Sequence, residues 1–486
     1  MAFNDLREWI NRLEEEGELA RVKADVDWDL EIGGITQEIF DKDGPALLFE
    51  NIKDYKDSWC KKLFTASLSK WSRIALMMGL PKDTPYPELI KEFQNRSKKL
   101  IKPITVDSGP VKENIIRGDN VNLWEFPSPK WHKRDGGRYI GTFGAFITKD
   151  PDTGWVNVGN YRLMVHGKDS TGITVITGQH NWMHFRKYKR MKKRMPAAFV
   201  CGWDPVLPFA ATAPMAEGEC EYDLMGALRD KPVEVVKCET VDLEVPATAE
   251  IVLEGEITTS FDEFVMEGPF GEYTGYYTSE PNRKPVFKVN CITFRNDPIL
   301  QGTLEGVPIN EDHRVCAIHH SAYYHDFLNT LIPGVKAVNV DPSTGWANMF
   351  VQIDNSYYGQ VQQVASAVWA TTKSVFVGKN IIVFDEDIDI FNLNKVMWGL
   401  AYRVNPPKDI IQFPGSISPT DPVIHPEERK RVAVYPGTRL LIDATKPIIN
   451  KRSDQWFGEK FAPVCYTDED TLKLIKKRWN EYGIKI

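Results

Sequence analysis

Apolar residues recur at helical spacing from the start of the chain. Leu6, Trp9, Ile10 and Leu13 precede Gly17, so residues 4–16 read as an amphipathic helix lying on its own domain. Residues 18–110 mix short apolar runs, such as Ala46-Leu-Leu-Phe49, with helical stretches at 69–78 and 86–93. That mixture predicts a first α/β domain over 1–110, with 103–110 as its exit. From 111 to 305 the pattern shortens to β-branched and aromatic runs at 141–148, 155–165, 173–177, 233–238, 249–256 and 286–294. Turn signals such as Asp152-Thr-Gly154 and Asn296-Asp-Pro298 separate them, predicting an antiparallel β domain, a barrel with inserted helices. Helical periods at 315–331 and 360–371 then alternate with strands at 347–353 and 380–384, a second α/β domain over 306–455. In the tail, 456–486, Thr467 or Asp468 caps a helix with Leu472, Ile475, Trp479 and Tyr482 on one face and Gly483 at its end. Such a face needs a cover, either its own core or a partner subunit. The fold class expected is α+β.

The 486 residues are enough for about three domains at ~150 residues each. Sixty basic residues against 67 acidic ones leave a net charge of −7, which argues against a protein that blankets phosphate backbones, so no nucleic-acid partner is expected. The seven cysteines are widely spaced and contain no C-x-x-C pair, which argues against a disulfide framework or a zinc ribbon. No stretch approaches the ~18 apolar residues that span a bilayer, and the N-terminus is charged almost at once. The expectation is a soluble, reduced, cytoplasmic protein with no membrane partner.

Several short patterns carry chemistry. Glu267-Gly-Pro-Phe-Gly-Glu272 sets two carboxylates five residues apart around a turn, where unequal surroundings can separate their pKa values into an acid/base pair. A solvated acidic turn is the plainer reading. Residues 155–162, ending Asn160-Tyr-Arg162, read as one strand that puts Asn160 and Arg162 on one face. An inward Arg calls for an anion or a structural ion pair. His180 follows Gln179, and Glu221 opens a helix; with an Asn carbonyl they would make an oxygen-rich site suited to Mn²⁺ or Mg²⁺ rather than zinc. A satisfied core histidine is the alternative. The basic run 186–194 reads as a solvated helix face, and Asp385-Glu-Asp387-Ile-Asp389 as surface charge or helix caps.

Taken jointly, the order and spacing of these patterns resemble the UbiD-type decarboxylases, which use prenylated flavin mononucleotide (prenylated FMN). The resemblance covers nearly the whole chain, from Asp5-Leu-Arg-Glu-Trp9 through Gly306-Val-Pro308 to the acidic turn before Lys395. It is most specific at 157–162, Gln179-His180, Glu221 with its Leu-Met-Gly-Ala-Leu context, Lys237-Cys-Glu-Thr240 and 267–272. It implies that Arg162, Glu267 and Glu272 form a catalytic network: Arg162 orients the leaving carboxylate, Glu272 returns a proton to carbon, and Glu267 holds Arg162. Asn157, His180 and Glu221 would hold manganese (Mn²⁺, or Mg²⁺) bridging to the flavin phosphate, with K⁺ beside it. Gln179 and Lys395 would also bind the cofactor, Lys395 at the same phosphate. Ile176 and Tyr273 would line the substrate pocket.

The fold implied by the resemblance is a central split β-barrel of flavin-reductase type, flanked by N-terminal and C-terminal α/β regions. A C-terminal helix would serve homodimers or homohexamers. The implied function is reversible, non-oxidative decarboxylation of an aromatic acid, hydroxybenzoate-like or another aryl acid, to CO₂ through a covalent flavin adduct, with a flavin prenyltransferase supplying the cofactor. The alternatives are a physiological carboxylase of aromatic compounds in anaerobic degradation, and a non-catalytic subunit of a larger complex. One departure stands out: where the family's flavin-phosphate loop often carries Ser-Met-Pro, this chain has Ala211-Thr-Ala-Pro214-Met215.

Overall fold

The first helix forms over Leu6–Glu15, with Asp5 accepting a hydrogen bond from the Glu8 amide at 2.9 Å as its cap. Leu6, Trp9, Ile10 and Leu13 are buried against the same chain, and Trp9 Nε1 donates to Ser67 Oγ at 2.9 Å. The structure is a computed structural model describing residues 3–277, 280–425, 427 and 436–484. It is a mixed α/β molecule, as the alternation of patterns requires.

Leu19–Val22, Ala46–Phe49 and Lys62–Thr65 form a sheet whose fourth strand, Ile299–Gln301, arrives from the far end of the β-rich segment. Likewise Ile104–Thr105 pairs with Glu234–Lys237. The N-terminal region and the β-rich segment are therefore joined through backbone hydrogen bonds.

The central sheet runs in the order Tyr139–Gly141, Leu163–Gly167, Ser170–Ile173, Val286–Phe294, Ile251–Ile257, Met195–Cys201, Ala145–Lys149 and Val156–Gly159, with Asn114–Arg117 added beside Val286–Phe294. Val156–Gly159 is last on this path, yet Leu163–Gly167, second from the other end, follows it after three residues. Laid flat, six strand spacings would separate them by about 29 Å, whereas four residue steps reach at most about 14 Å. The sheet must therefore curl until its ends meet, and residues 160–162 bridge the gap.

This closure corrects the strand reading. Residues 155–162 are not one strand: pairing stops at Gly159, and Asn160-Tyr161-Arg162 form a corner before the next strand. The Asn160 amide donates to Ala211 O at 3.2 Å instead of to a neighbouring strand. The run expected at 173–177 also ends early, at Ile173, and the chain turns toward a helix.

The C-terminal region holds a five-stranded mixed sheet, in the order Val335–Val340, Asn348–Ile353, Asn380–Asp385, Pro436–Ala444 and Ile410–Ser416. Apolar clusters pack on it from the helices Glu311–Asn329, Gln360–Trp369 and Leu393–Arg403. The tail helix, Glu469–Arg478, is capped by Asp468 and ends in a short turn to left-handed Gly483. Among the described residues no helix is long and apolar enough to cross a membrane.

Candidate active site

Arg162 sits at the corner made by sheet closure, and its guanidinium is taken by two carboxylates. Nε and Nη2 meet Glu267 Oε1 and Oε2 at 2.8 and 3.0 Å, a bidentate pairing, while Nη1 pairs with Glu272 Oε1. The Phe270 ring lies 4.8 Å from the guanidinium carbon. Glu267 ends the strand Val265–Glu267, is 2% exposed, and also accepts from the Tyr139 hydroxyl at 3.1 Å. Two residues far apart from it in sequence thus complete the pattern that 267–272 begins.

The turn between the two glutamates is clamped by residues 132–136. Asp135 Oδ1 accepts from the Gly271 amide at 3.0 Å, and the Gly136 amide donates to Pro269 O at 2.8 Å. A Cβ at Gly136 would lie 2.0 Å from Gly268 O, so only glycine allows this approach. Beyond Glu272 the turn lines two cavities. One, of about 230 Å³, is reached by Tyr273, Thr274 and Lys379; the other, of about 420 Å³, by His132, Gly271, Gly275 and Val307.

The two glutamates have opposite electrostatic surroundings. Burial pushes both upward. At Glu267 the Arg162 charge and hydrogen bonds, helped by Lys284 and Tyr139, outweigh burial and hold the carboxyl below its usual range. At Glu272 burial wins, reinforced by the neighbouring Glu267 charge, and the carboxyl is raised. Burial also opposes the Arg162 charge, but Glu272 and Glu267 more than offset it, so the guanidinium stays charged. The arrangement has an ionised anchor, a fixed cation and a protonatable acid, the unequal pair that the 267–272 spacing allowed.

The other candidates gather at one edge of the curled sheet. His180 opens the helix His180–Arg190, and Glu221 opens Glu221–Arg229. His180 Nδ1 lies 3.9 Å from Glu221 Oε1, and Glu221 Oε2 accepts from the Val158 amide at 2.7 Å, beside buried Asn157. Trp155 meets the His180 ring edge-on at 4.8 Å. Among the described residues Asn157 Nδ2, Gln179 Oε1, both polar atoms of the Asn181 side chain and Thr174 Oγ1 are buried with no hydrogen-bond partner. Buried polar atoms need partners, so this donor and acceptor set fits a polar ligand and an oxygen-seeking cation. Among the described residues no three His, Cys, Asp or Glu side chains converge on a metal position.

Ile176 is half-buried in the turn before Gln179. Tyr273 is buried, stacks on Trp346 at 4.6 Å and hydrogen-bonds Ser418 Oγ at 2.7 Å. Lys395 is not brought to these groups: its ammonium meets Tyr466 at 3.3 Å and the Trp398 ring, on the exposed side of Leu393–Arg403. The lysine that faces Glu221 is Lys373, whose ammonium burial pushes down while Glu221 draws it up. Sequence reading missed Lys373, and also Lys284, Glu305 and Asp312, which feel the charges of the Arg162 network. Only Lys284 had a local signal. It pairs across from Val265, which places it diagonally from Glu267 on the same hairpin face.

Known proteins resemble this chain along nearly its whole length. Three models of the 3-octaprenyl-4-hydroxybenzoate carboxy-lyase match successive regions: the N-terminal domain at 10–93, the Rift-related domain at 102–308 and the C-terminal domain at 313–444. The chain is 32% identical to pyrrole-2-carboxylic acid decarboxylase of Pseudomonas aeruginosa, over 99% of this chain and 98% of that protein. It is 33% identical to a phenolic acid decarboxylase of Bacillus subtilis, over 98% and 99%. The structure matches the closed form of vanillic acid decarboxylase from Sedimentibacter hydroxybenzoicus with a TM-score of 0.87, at 31% identity and full coverage of both chains. It matches the UbiD-class enzyme HmfF from Pelotomaculum thermopropionicum, solved in complex with FMN, with a TM-score of 0.81 at 30% identity, covering 97% and 99%.

The close approach of Gly136 to Gly268 gives a test of the clamp. Gly136→Ala must displace the 268–272 turn, and a misplacement of about 1 Å costs about a hundredfold in rate. The expected result is a folded protein by circular dichroism whose kcat has fallen to that extent; unchanged turnover would show that the clamp does not set the position of Glu272.

Proposed function

The chain belongs to the UbiD family of carboxy-lyases, and on that premise we propose that it is a reversible, non-oxidative decarboxylase of aromatic acids using prenylated FMN. The observation that carries this reading is one guanidinium shared by two glutamates, one held ionised and the other raised toward protonation. Named relatives decarboxylate phenolic and pyrrole carboxylic acids, which supports an aryl acid as substrate.

Cleaving an aryl carboxylate leaves an electron pair on a ring carbon that no side chain stabilises; prenylated FMN, when bound, supplies that electron sink. The protein's part is positional and protonic. Arg162 binds the substrate carboxylate, Glu267 fixes the guanidinium plane, and protonation of Glu272 loosens its hold on Nη1. The bond between ring carbon and carboxylate breaks, CO₂ leaves, and the Glu272 proton passes to the carbon. Run backward, the same groups take up CO₂, so a net carboxylase would use the same site. The intact Arg162, Glu267 and Glu272 set disfavours a non-catalytic subunit.

We assign Asn157, His180 and Glu221 to a divalent ion, Mn²⁺ or Mg²⁺, at the flavin phosphate, with K⁺ nearby and Gln179 beside them. The unpartnered Asn157 Nδ2 donor and the half-buried Lys373 ammonium, which feels Glu221, support an anionic ligand there. The curled central sheet supports the split-barrel reading. The tail helix supports assembly: Leu472, Trp479 and Tyr482 are 42%, 36% and 41% exposed on a single chain, a face that a second copy would cover. An evolved dimeric form of HmfF is among the matching structures.

Four outcomes follow from these assignments. Glu272→Gln keeps flavin binding but loses at least about a hundredfold in turnover. In the parent enzyme kcat falls as pH rises through a pKa above the ordinary glutamate value, because the donor must be protonated. Near-normal turnover of the loaded variant would refute the assignment. His180→Ala loses metal and flavin together, read by metal analysis and flavin absorbance, and undiminished content of both would count against the ligand set. Truncation after Tyr466 removes the tail face, each of whose large side chains is worth about 1.5–3 kcal/mol when buried. Light scattering should then show a lower mass; an unchanged assembly would place the helix outside the interface.

A further inference from the structure

The backbone of Glu272 bonds only within its own loop. Its amide donates to Tyr276 O at 3.0 Å and its carbonyl accepts from the Gly275 amide at 2.8 Å, so both groups are used inside 272–276. Apart from the pairing with Arg162, the place of the Glu272 carboxyl therefore depends on what anchors this loop from outside. Before Glu272 the anchor is Asp135, which holds the Gly271 amide. After it the chain continues into Tyr273.

Tyr273 is fastened at three points, all by residues beyond 310. Its ring stacks on Trp346 with the planes 18° apart, its hydroxyl meets Ser418 Oγ, and its carbonyl oxygen lies 2.6 Å from His313 Nε2. These fasteners brace one another. Trp346 Nε1 donates to His313 O at 3.1 Å, and Ser418 Oγ lies 2.8 Å from Thr420 Oγ1. A Cβ at Gly345 would lie 2.9 Å from Tyr273 O, so the chain closes in on that carbonyl from a second side. His313, Tyr273, Trp346 and Ser418 are all buried.

The surroundings of His313 fix the direction of its bond to Tyr273. It is the third residue of the helix Glu311–Asn329, and Asn310 Oδ1 accepts from its amide at 3.2 Å. Its ring completes the capping box, with Nδ1 3.1 Å from the Asn310 amide. An amide N–H only donates, so Nδ1 is the acceptor; a carbonyl only accepts, so Nε2 carries the proton. Both bonds exist together only in the neutral ring with this tautomer. Burial favours that state, pushing the imidazole down to about 4.

We propose that His313 is a positioning residue for the proton donor, holding Tyr273 O through Nε2 and so setting where the Glu272 carboxyl stands against Arg162 and the reacting carbon. The inference rests on the decarboxylase reading, which gives Glu272 a proton to deliver. Asp135 and His313 hold the two ends of the loop, one from the β-rich region and one from the start of the long helix. A neutral ring does this without adding a charge beside the Arg162 pairs. With one end released, Glu272 stays near Arg162 but shifts, and about 1 Å of misplacement costs about a hundredfold in rate.

Two variants separate the helix cap from the hold on Tyr273. His313→Asn keeps an acceptor at the Nδ1 place, and with it the cap, but is too short to reach Tyr273 O. His313→Gln puts an amide N–H at the Nε2 place and keeps that bond. Holoenzyme is produced together with a flavin prenyltransferase, and CO₂ release is measured from the hydroxybenzoic acids and pyrrole-2-carboxylic acid. In His313→Asn kcat should fall about a hundredfold, with KM and flavin content close to those of the parent, and His313→Gln should recover at least about tenfold of the loss. A kcat unchanged in His313→Asn, an equal loss in both variants, or a loss confined to KM or flavin content overturns the proposal and leaves the decarboxylase reading intact.

A second arm does not depend on turnover. Crystal structures of the parent and both variants should show the Glu272 carboxyl displaced by about 1 Å in His313→Asn and in place in His313→Gln. If no acid releases CO₂ from the parent, the decarboxylase reading fails, and the structures still decide whether His313 places Glu272. An unmoved Glu272 in His313→Asn overturns the proposal. Should that variant not fold, Ser418→Ala loosens Tyr273 away from the helix cap: a kcat about tenfold lower at unchanged KM supports the proposal, and a full kcat overturns it.

Discussion

The structure depends on keeping one guanidinium charged in a place that water hardly reaches. Arg162 lies at a corner of the curled sheet, and burial alone would drive its charge out. Glu267 answers with two parallel hydrogen bonds and Glu272 with a third contact. Satisfying Arg162 this way buries two more charges, so the requirement spreads outward. Glu267 needs Tyr139 and Lys284 around it, and the turn that brings Glu272 needs the 132–136 clamp.

The corner itself follows from sheet closure. A three-residue link cannot join strands at opposite ends of a flat sheet, so curvature and link come together, and the backbone leaves the hydrogen-bond ladder at 160–162. The same closure carries Asn157 on the preceding strand to the helix starts at His180 and Glu221. The Arg162 network and the edge where His180 meets Glu221 are thus both tied to one short stretch, 157–162.

The molecule then adds charge around this frame from distant parts of the chain. Lys373, in the C-terminal region, feels the Glu221 charge, while Glu305 before the long helix and Asp312 in its first turn feel Glu272. Burial raises the carboxyls of Glu272, Glu305 and Asp312, and at Lys373 it works against the ammonium that Glu221 favours, so the two ends differ in electrostatic character.

What the sequence determined by itself was local. The period of apolar positions placed Leu6–Glu15, Val286–Phe294 and Gln360–Trp369 within a few residues, because each packs its pattern against an ordinary neighbour, and the tail helix was legible from its Asp468 cap and its own period. The pairs around 267–272 and the order of 157, 162, 180 and 221 also showed which residues could act together. What only the tertiary structure decided was which of them meet and in what state. A β pattern runs through 155–162 without revealing that closure breaks it, and Lys395, expected at the phosphate, meets Tyr466 and Trp398 instead. The difference between Glu267 and Glu272 was equally invisible. Protonation depends on desolvation and on charges brought from elsewhere in the chain, and those distances exist only once the sheet has closed.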